Sequence, residues 1–469
     1  MLGELNTAVV GAGYVGLVTG ACMAHLGRQV TCVDTDEERI GGLKSGRMPF
    51  YEPGLAELVA RGVEGQRLSF AGSDDLAGIV GEADLVFIAV DTPQAEEGSA
   101  DLSSVAEVAR DIGRAVAEPE TNRERLRERP LVVVNKSTVP VGSGDYVSKL
   151  IHEGLEETGG QGGAAPFVVA SNPEFLREGS AIYDSLFPDR IVVGTDSREA
   201  LEVLRTLYEP IIEQSFPTEL DPRPKVAVPF VTTDRVSAEM IKYAANAFLA
   251  TRVSFINEVS NLCELVGADV TEVAYGIGLD QRIGARFLNA GIGWGGSCLP
   301  KDVSALRAIA REYHYEPTLL DASVTVNEGQ REQVISKLQR DLHTLKGKRV
   351  ALLGLTFKPN TDDLREAPSL EIARVLDSLG ARTVGYDPVA GKGASRLLPS
   401  MKVVFDPYEA LRGTQAAVVV TEWEEVRGLD LNRVAELMEE PKVIVDGRNV
   451  LDPGAALEAG LLYRGFGRS

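Results

Sequence analysis

The chain has 469 residues and a formal net charge of −21, with 44% hydrophobic and 25% charged residues. A chain of this length holds two or three domains. Its acidic surplus argues against nucleic acid or an anionic membrane as the main partner. No apolar run approaches the ~18 residues of a membrane span, and a strand begins too early to leave room for a signal peptide. We expect a soluble, cytoplasmic protein.

The first elements predict a dinucleotide-binding fold. A buried strand at Thr7–Val10 runs into Gly11, Gly13 and Gly16, a helix follows, and the next strand ends in Asp34. A G-x-G-x-x-G match alone is weak evidence, but with this strand, helix and acidic residue it is typical of a Rossmann domain. The pyrophosphate then lies on the helix N-terminus. Asp34 should accept from ribose hydroxyls and repel a 2′-phosphate, which predicts NAD; a tight turn without a ligand is the alternative.

Strands and helices continue to alternate, and polar residues follow three more buried strands. Ligands of open α/β sheets bind at the carboxyl ends of the strands, so we expect function there, although Thr138 could simply cap a helix. Thr92, Thr138 and the segment Asn172–Gly179 follow strands predicted at Ala83–Val90, Leu131–Val134 and Phe167–Ala170.

One long helix is predicted from Val236 to Val266, because no proline or glycine interrupts the run and apolar residues recur at helical spacing. Its length of roughly 45 Å exceeds what one small domain needs. The helix is therefore expected to join two domains, and its apolar face could contact a second copy. Lys242 and Asn246 lie four residues apart on one face of this helix. The alternative to a functional pair is that they lie on a solvated face, where such pairs are common.

Cysteines are few, and one stands in a distinctive loop. Cys22, Cys32, Cys263 and Cys298 show no C-x-x-C pairing, so neither a metal site nor a disulfide framework is predicted. Cys298 lies in GWGGSCLPKD, just before a helix predicted at Pro300–Tyr313. A helix start carries unpaired N–H groups and partial positive charge, which favour a thiolate nucleophile. A small buried residue before an ordinary cap is the alternative.

The second half repeats the first without the pyrophosphate glycines. Strand Lys348–Leu353 leads to Gly354, and a helix and a strand ending in Asp387 follow. The pattern predicts an α/β protein with two Rossmann-like, doubly wound domains joined by a long central helix. Basic side chains at the strand ends suit the phosphates of a second nucleotide, or are only surface cations. These are Lys358, Arg365 and Arg448.

Together these motifs resemble the UDP-glucose/GDP-mannose dehydrogenase family, in order and over nearly the whole chain. The combination of GGSCLPKD with the Lys242–Asn246 pair is the most specific. The resemblance implies oxidation of a sugar-nucleotide primary alcohol to the acid by two NAD-dependent hydride transfers. It implies an NAD-binding domain at 1–212, a central helical domain at 213–330 and a UDP-sugar-binding domain at 331–469. The motifs are GAGYVG, KSTVPVG, NPEFLREG, PDRIVVG, KYAANAFLATRVSFINE, FLNAGIGWGGSCLPKD, GLTFKPNTDDLREAPS and DGRN.

The same resemblance implies roles in catalysis. Cys298 would trap the aldehyde as a thiohemiacetal and then carry a thioester. Lys242 and Asn246 would hydrogen-bond the oxygen that becomes anionic, and Asp302 would act with Lys242 as proton acceptor. Glu174 would position or deprotonate the hydrolytic water. The implied catalytic residues are Cys298, Lys242, Asn246, Asp302, Glu174 and Thr138.

Binding residues are implied in the same way. Arg282 matches a position that reaches the substrate from a partner subunit, so at least a homodimer is expected. The residues implied for NAD are Gly11, Gly13, Tyr14, Val15, Gly16, Asp34, Arg39, Thr92, Thr138, Glu178, Lys301 and Arg365. Those implied for the sugar nucleotide are Glu174, Phe175, Leu176, Arg177, Glu178, Lys242, Asn246, Arg282, Phe287, Gly293, Lys358 and Arg448.

The sugar is the open question. Leu299 departs from the aromatic residue of many UDP-glucose members, and CLPKD also occurs among GDP-mannose members. The segments NPEFLREGSAIYD, PDRIVVG and KYAANAFLATR look more like the UDP-glucose branch. UDP-glucose is therefore favoured over GDP-mannose or an N-acetylated UDP-sugar. Two further alternatives are a two-electron dehydrogenase of the 6-phosphogluconate type, which needs no thiol, and a non-catalytic NAD-responsive binding protein.

Overall fold

The computed structural model describes residues 5–95, 97–117, 129–158, 167–218, 220, 222–224 and 226–468. Two stretches that the sequence assigns to a solvated helix extension (118–129) and a flexible loop (158–165) lie almost wholly outside these ranges. The chain divides into two compact units, Met1–Ala244 and Ala245–Ser469. None of the helices described combines the length and the apolar character needed to span a bilayer.

The first unit contains an eight-stranded sheet in the order β3-β2-β1-β4-β5-β6-β7-β8. All neighbouring strands are parallel except β6 and β7, which meet at a short antiparallel contact between Ser171 and Gly194. The strand order reverses between β1 and β4, which makes the crevice where doubly wound folds bind ligands. The predicted fold class is confirmed here; the antiparallel contact was not predicted. The strands are β1 Asn6–Val10, β2 Gln29–Asp34, β3 Leu68–Gly72, β4 Leu85–Ile88, β5 Leu131–Asn135, β6 Phe167–Ser171, β7 Ile191–Gly194 and β8 Phe230–Thr233.

Helices cover both faces of this sheet. Because both faces are buried, the strands read as continuous apolar runs rather than alternating ones. Along β5, for example, Val132 and Val134 pack into one core, and Leu131 and Val133 into the other. The helices of this unit are α1 Tyr14–His25, α2 Glu37–Lys44, α3 Leu55–Glu64, α4 Leu76–Glu82, α5 Ser103–Ala117, α6 Ser143–Glu157, α7 Ala181–Leu186 and α8 Arg198–Glu213, with a 3-10 turn at Ser73–Asp75.

The long helix α9 runs from Arg235 to Val266, 32 residues, and begins one residue before the prediction. The division between the two units falls within it. The sequence favours this length because no proline or glycine interrupts it, and Gly267, with a φ of +76°, ends it. Lys242 therefore belongs to the first unit, and Asn246, four residues further along the helix, to the second.

The second unit contains a six-stranded parallel sheet in the order β11-β10-β9-β12-β13-β14. Its strands are β9 Arg349–Leu353, β10 Arg382–Tyr386, β11 Lys402–Val404, β12 Ala416–Val419, β13 Val443–Asp446 and β14 Leu462–Arg464. Its further helices are α10 Val270–Gly278, α11 Leu299–Glu312, α12 Thr318–Leu342, α13 Pro368–Ser378, α14 Gly391–Leu397, α15 Pro407–Leu411, α16 Glu424–Arg427, α17 Leu431–Leu437 and α18 Pro453–Glu458.

The two sheets repeat one loop design. Gly11 and Gly354 end the first strand of each half with φ values of +104° and +85°, where a side chain would be strained. In each half the next N–H donates to the aspartate that ends the second strand, at 2.7 Å for Asp34 and 2.9 Å for Asp387. Asp387 also accepts from the indole of Trp423 and is completely buried. In the second half, Asp387 thus uses its carboxylate for contacts within the protein. The glycines that allow close approach of a pyrophosphate are present only in the first loop.

Candidate active site

The turn from β1 into α1 fits a pyrophosphate. A Cβ at Gly11 would collide with the Ala89 carbonyl, and one at Gly16 with the carbonyl of Gly11, so both positions require glycine. A Cβ at Gly13 would meet only Asp91, 3.9 Å away. Gly13 caps α1 without any side-chain hydrogen bond. The first N–H groups of α1, which includes Val15, are therefore available to an anion.

Asp34 organises this turn. It is buried at the end of β2, and its Oδ2 accepts from the N–H of Ala12 at 2.7 Å. The Oδ1 atom accepts from the N–H of Asp36, and the guanidinium of Arg39 lies 2.8 Å from Oδ2. The structure thus brings together two residues predicted to contact the adenosine ribose.

Tyr14 connects the dinucleotide loop to a second predicted segment. Its hydroxyl donates to the Glu52 carboxylate. Burial is the larger cause and this hydrogen bond the next; both raise the pKa of Tyr14 well above its usual value. Glu52 also accepts from the N–H groups of Gly179 (2.6 Å) and Ala181 (2.8 Å). Glu52 is buried and was missed by the sequence analysis. It fixes the end of the Asn172–Gly179 segment beside the start of α1.

The polar residues that follow β4 and β5 contact each other. The Thr92 hydroxyl donates to the Thr138 carbonyl at 2.8 Å, and Ser137 donates to the carbonyl of Val90 at 2.7 Å. The β4 and β5 ends are thereby joined at the carboxyl edge of the sheet.

Glu174 and Lys242 form a buried ion pair. Lys242 Nζ on α9 lies 2.6 Å from Glu174 Oε1, and the other carboxylate oxygen accepts from the Leu176 N–H at 2.8 Å. The guanidinium carbon of Arg190 lies over the Phe175 ring, 3.7 Å from the ring centroid. A helix residue and a loop residue are thus locked together in the first unit.

The remaining residues of this segment differ in environment. Glu178 is buried, whereas the Arg177 side chain is 56% exposed. Arg177 donates to both carboxylate oxygens of Asp184, and this ion pair raises its pKa. Its guanidinium therefore braces the local loop through Asp184.

Cys298 is the N-cap residue of α11, with Pro300 at the second helical position. The helix begins at Leu299, one residue before the prediction. The Ser297 hydroxyl lies 3.6 Å from the Cys298 sulfur, and Cys298 is only partly buried. The thiol therefore lies at a helix N-terminus, the position at which the sequence predicts a nucleophile.

Close packing against the second sheet fixes the Cys298 loop. Side chains at Gly293, Gly295 or Gly296 would collide with Asn327, the Glu366 carbonyl and the Phe357 ring respectively. Trp294 is anchored too, because its N–H donates to Asn327 at 2.7 Å and Asn327 donates back to its carbonyl. The glycines thus serve close backbone approach, and Asn327 was not foreseen.

Asp302 lies in the first turn of α11 and is 1% exposed. Asn246 donates to its Oδ2 at 2.6 Å, and the Lys301 ammonium lies 3.2 Å from Oδ1. The backbone N–H of Asp302 donates to the Cys298 carbonyl at 2.9 Å. The structure therefore joins three predicted residues, Asn246, Lys301 and Asp302, around the turn that begins at Cys298.

Arg448 holds three loops of the second unit together. It donates to the carbonyls of Val420 (2.7 Å), Gly293 (3.3 Å) and Phe357 (3.2 Å). Glu422 lies 3.3 Å from its Nε. Arg448 therefore braces the Cys298 loop, whatever contact it also makes with a ligand.

The other predicted cations are more exposed. Arg365 pairs with Asp363 and Arg282 with Asp280, and their side chains are 58% and 89% exposed. Lys358 lies over the Phe357 ring, 5.2 Å from its centroid. Phe287 has a φ of +62°, a left-handed conformation that is rare for a bulky residue and marks a constrained turn.

Comparison with known proteins assigns the whole chain to one family. Residues 5–212, 236–329 and 351–453 match the NAD-binding, central and UDP-binding domains of the UDP-glucose/GDP-mannose dehydrogenase family. The chain is 44% identical over 462 residues to a UDP-glucose 6-dehydrogenase of Bacillus subtilis, which covers 98% of this chain and 93% of that protein. This chain belongs to the UDP-glucose/GDP-mannose dehydrogenase family.

Solved structures agree with this membership. A UDP-glucose dehydrogenase from Pyrobaculum islandicum has a TM-score of 0.86 and 38% identity, with 99% of this chain and 98% of that chain covered. A UDP-D-ManNAc dehydrogenase from Pyrococcus horikoshii has a TM-score of 0.80 and 25% identity, with 98% and 99% covered. The resemblance inferred from the motifs is therefore confirmed, and an NAD-binding domain contains the glycine turn and Asp34.

Glu52, Lys136 and Glu239 are buried charged residues that the sequence analysis did not name as functional candidates. Glu239 accepts from the N–H groups of Gly142 and Gly144 at the start of α6 and from Ser171; burial raises its pKa. It lies one helical turn before Lys242, a spacing that could have revealed it. Lys136 directly follows β5, so its position at a strand end was the available signal.

Proposed function

We propose that this chain oxidises UDP-glucose at its primary alcohol to UDP-glucuronate, with NAD as the oxidant and Cys298 as the covalent catalyst. The observation that carries the proposal is the intact Cys298–Asp302 turn, held by Asn246, in a chain 44% identical to a UDP-glucose 6-dehydrogenase over nearly its full length. The thiol supports a four-electron oxidation, because a two-electron alcohol dehydrogenase needs no nucleophile.

UDP-glucose is preferred over other nucleotide sugars. The relatives named for UDP-glucose are 44% and 38% identical to this chain, whereas the relative named for an N-acetylated sugar is 25% identical. A solved GDP-mannose dehydrogenase is 28% identical to this chain, which is also below the identity to the relatives named for UDP-glucose. The segment Asn172–Gly179 carries the UDP-glucose-like motif noted in the sequence.

The chemistry proceeds through sulfur. The alcohol loses a hydride and a proton to give an aldehyde, and the Cys298 thiolate adds to its carbonyl carbon, forming a thiohemiacetal. Loss of a second hydride gives a thioester. Water attacks the thioester carbon, the C–S bond breaks, and the carboxylate and the free thiolate result. One water is consumed, two hydrides leave and three protons are released, so the aldehyde stays attached to the protein.

NAD, when bound, accepts one hydride in each oxidation. The turn from Gly11 to Gly16 would hold its pyrophosphate on the α1 N-terminus, and Asp34 with Arg39 would hold the adenosine ribose. Thr92 stands at the carboxyl edge of the same sheet. Asp34 repels a 2′-phosphate, which supports NAD over NADP.

Two groups of side chains divide the stabilisation of the oxyanion and the transfer of protons. Lys242 and Asn246 donate to the substrate oxygen as negative charge develops, because preorganised donors stabilise an oxyanion strongly. Asp302 accepts the proton released from the alcohol. Glu174, with Thr138, orients the water that hydrolyses the thioester.

The chain consists of an NAD-binding domain at 1–212, a central domain at 213–330 and a UDP-sugar-binding domain at 331–469 in this proposal. Its active form is a homodimer. Phe248, Phe255 and Leu262 are exposed at seven-residue intervals on α9, an apolar stripe that a second copy would cover.

The four cysteines are free, and a thiol nucleophile requires a reducing compartment, which favours the cytoplasm.

The deciding experiment counts NADH formed per UDP-glucose consumed. Two NADH and one UDP-glucuronate are expected from the native chain, and Cys298→Ser should produce no acid at a measurable rate. Cys263→Ser, which changes a buried cysteine on α9, is the matched control and should retain the native stoichiometry. One NADH per sugar, or an active Cys298→Ser variant, would overturn the thioester route. Turnover of another nucleotide sugar but not UDP-glucose would overturn the substrate assignment.

A further inference from the structure

Lys136 is a buried lysine at the carboxyl end of β5. Its ammonium donates to Asn172 Oδ1 at 2.9 Å and lies 3.4 Å from the Tyr208 hydroxyl, and both of these partners are neutral. The rings of Phe87 and Tyr208 lie about it, with centroids 6.0 and 5.9 Å from Nζ. Burial lowers the pKa of Lys136 to about 8, although the nearby Glu174 raises it; Lys242 lowers it further.

The partner of Lys136 begins the segment that carries Glu174. Asn172 lies two residues before Glu174 and is fixed from several sides. The Tyr208 hydroxyl donates to its Oδ1 at 2.5 Å, and its amide donates to the Val192 carbonyl at 2.7 Å. Its backbone N–H donates to the Asn135 carbonyl at 2.9 Å. Lys136 therefore supports the point from which the Glu174 loop departs.

The buried charge of Lys136 has a cost. A solvent-excluded ammonium held only by neutral partners is costly for folding. An apolar side chain would fill the site more cheaply, so the cost points to a use.

We propose that Lys136 is a positioning residue for the hydrolytic step, because it anchors the Glu174 loop through Asn172. This inference rests on the proposed function, in which Glu174 orients the attacking water. Lys136 itself touches neither substrate nor cofactor in this assignment. It acts through Asn172.

Two substitutions remove different parts of this anchor. Lys136→Met removes the ammonium that donates to Asn172, whereas Tyr208→Phe removes one hydrogen bond to Asn172 and leaves the ammonium in place. Lys136→Met should lower kcat for acid formation at least about tenfold, because small displacements of a catalytic group are costly, and leave KM for UDP-glucose nearly unchanged. Because the defect lies in hydrolysis, the first NADH should form at the native rate in a single turnover while release of the acid lags. Tyr208→Phe should show the same lag to a smaller extent.

The measurements are kcat, KM and the single-turnover formation of NADH and acid for the full-length protein, with UDP-glucose and NAD. Lys149→Met is the matched control, since Lys149 is 74% exposed on α6, and it should behave like the native chain. If the methionine variant does not fold, Lys136→Gln, which keeps a donor toward Asn172, should show the same lag in acid release with a smaller loss of kcat. A native kcat, a first NADH slowed as much as the acid, or a loss that appears only in KM would overturn the inference. A native chain that fails to oxidise UDP-glucose would overturn the proposed function, and this inference with it.

Discussion

The Lys242 ammonium lies 2.6 Å from the Glu174 carboxylate, and the two side chains are only 4% and 5% exposed. Removing two charges from water is expensive, so an ion pair this deeply buried contributes little net stability while the pair is intact. Breaking it is a different matter, because the remaining charge keeps its desolvation cost and loses this partner. Loss of one partner should therefore lower the stability of the fold as well as the catalytic activity.

Glu174→Gln should lower the free energy of unfolding by about 3 kcal/mol or more, since Lys242 then lacks a carboxylate at 2.6 Å. The double variant Lys242→Met with Glu174→Leu should recover most of that loss, yet neither variant should form acid. Urea unfolding monitored by circular dichroism, together with NADH formation, measures both effects. Glu202→Gln is the control, because the Arg198–Glu202 pair is exposed and worth ~0.5 kcal/mol or less. Additive losses in the double variant would contradict the coupling.

The fold and the dinucleotide turn could be predicted because their signals are local. The glycines, the strand before them and Asp34 lie within one βαβ unit, and the length of α9 follows from an uninterrupted run. The partners of Glu52 could not be predicted, because it meets Gly179 across 127 residues of sequence. Spacing reveals neighbours along one helix or strand; it does not reveal which distant loops meet.

Arginines illustrate the same limit. The sequence places Arg177 and Arg448 in binding motifs, but it does not show where their guanidinium donors go. Arg177 meets Asp184 seven residues further on, and Arg448 donates to the Gly293 carbonyl 155 residues away. An arginine has five donors in a rigid fork, so bracing a loop and binding a ligand are compatible in Arg448. Only the three-dimensional arrangement reveals the bracing role.

Cofactor preference should depend on Asp34. Asp34→Ser removes the charge that repels a 2′-phosphate and frees Arg39, whose guanidinium is 2.8 Å from Asp34, to meet one. We expect kcat/KM to fall about tenfold or more with NAD and to rise with NADP; steady-state rates with both cofactors test this. Asp36→Ser is the control, because Asp36 caps α2 and should leave the NAD/NADP ratio unchanged. An unaltered ratio in Asp34→Ser would show that cofactor choice lies elsewhere.

The first oxidation should depend on the charge of Asp302. Asp302→Asn keeps the shape of a residue that is 1% exposed but removes the proton acceptor beside Asn246 and Lys301. General-base catalysis contributes ~10²–10⁴-fold, so kcat should fall within that range. The rate at which the first NADH forms, followed by stopped-flow absorbance or under solvent exchange, tests this step directly. Asp321→Asn, which changes a partly buried acidic residue of α12 that is paired with Arg307, should leave that step intact. A normal first step in Asp302→Asn would assign the proton to another group.

Lys136 should make the folded protein less stable at neutral pH. Its pKa is near 10.5 in the unfolded chain and about 8 in the folded one, so between these values the unfolded state binds more protons. The penalty is therefore fully present below pH 8, shrinks as pH rises and is gone above about pH 10.5. The 2.5-unit difference corresponds to roughly 3 kcal/mol, of which a lost hydrogen bond to Asn172 offsets about 1 kcal/mol.

Lys136→Met should accordingly be about 2 kcal/mol more stable than the native chain at pH 7, and this advantage should disappear by about pH 10.5. Urea midpoints of both proteins at a series of pH values measure the difference directly. Lys149→Met, at an exposed position, should show no such pH-dependent gain. A variant that is both more stable and slower would mean that the native chain keeps the buried charge for catalysis at the expense of stability. A variant less stable than the native chain at pH 7 would instead make Lys136 a structural residue.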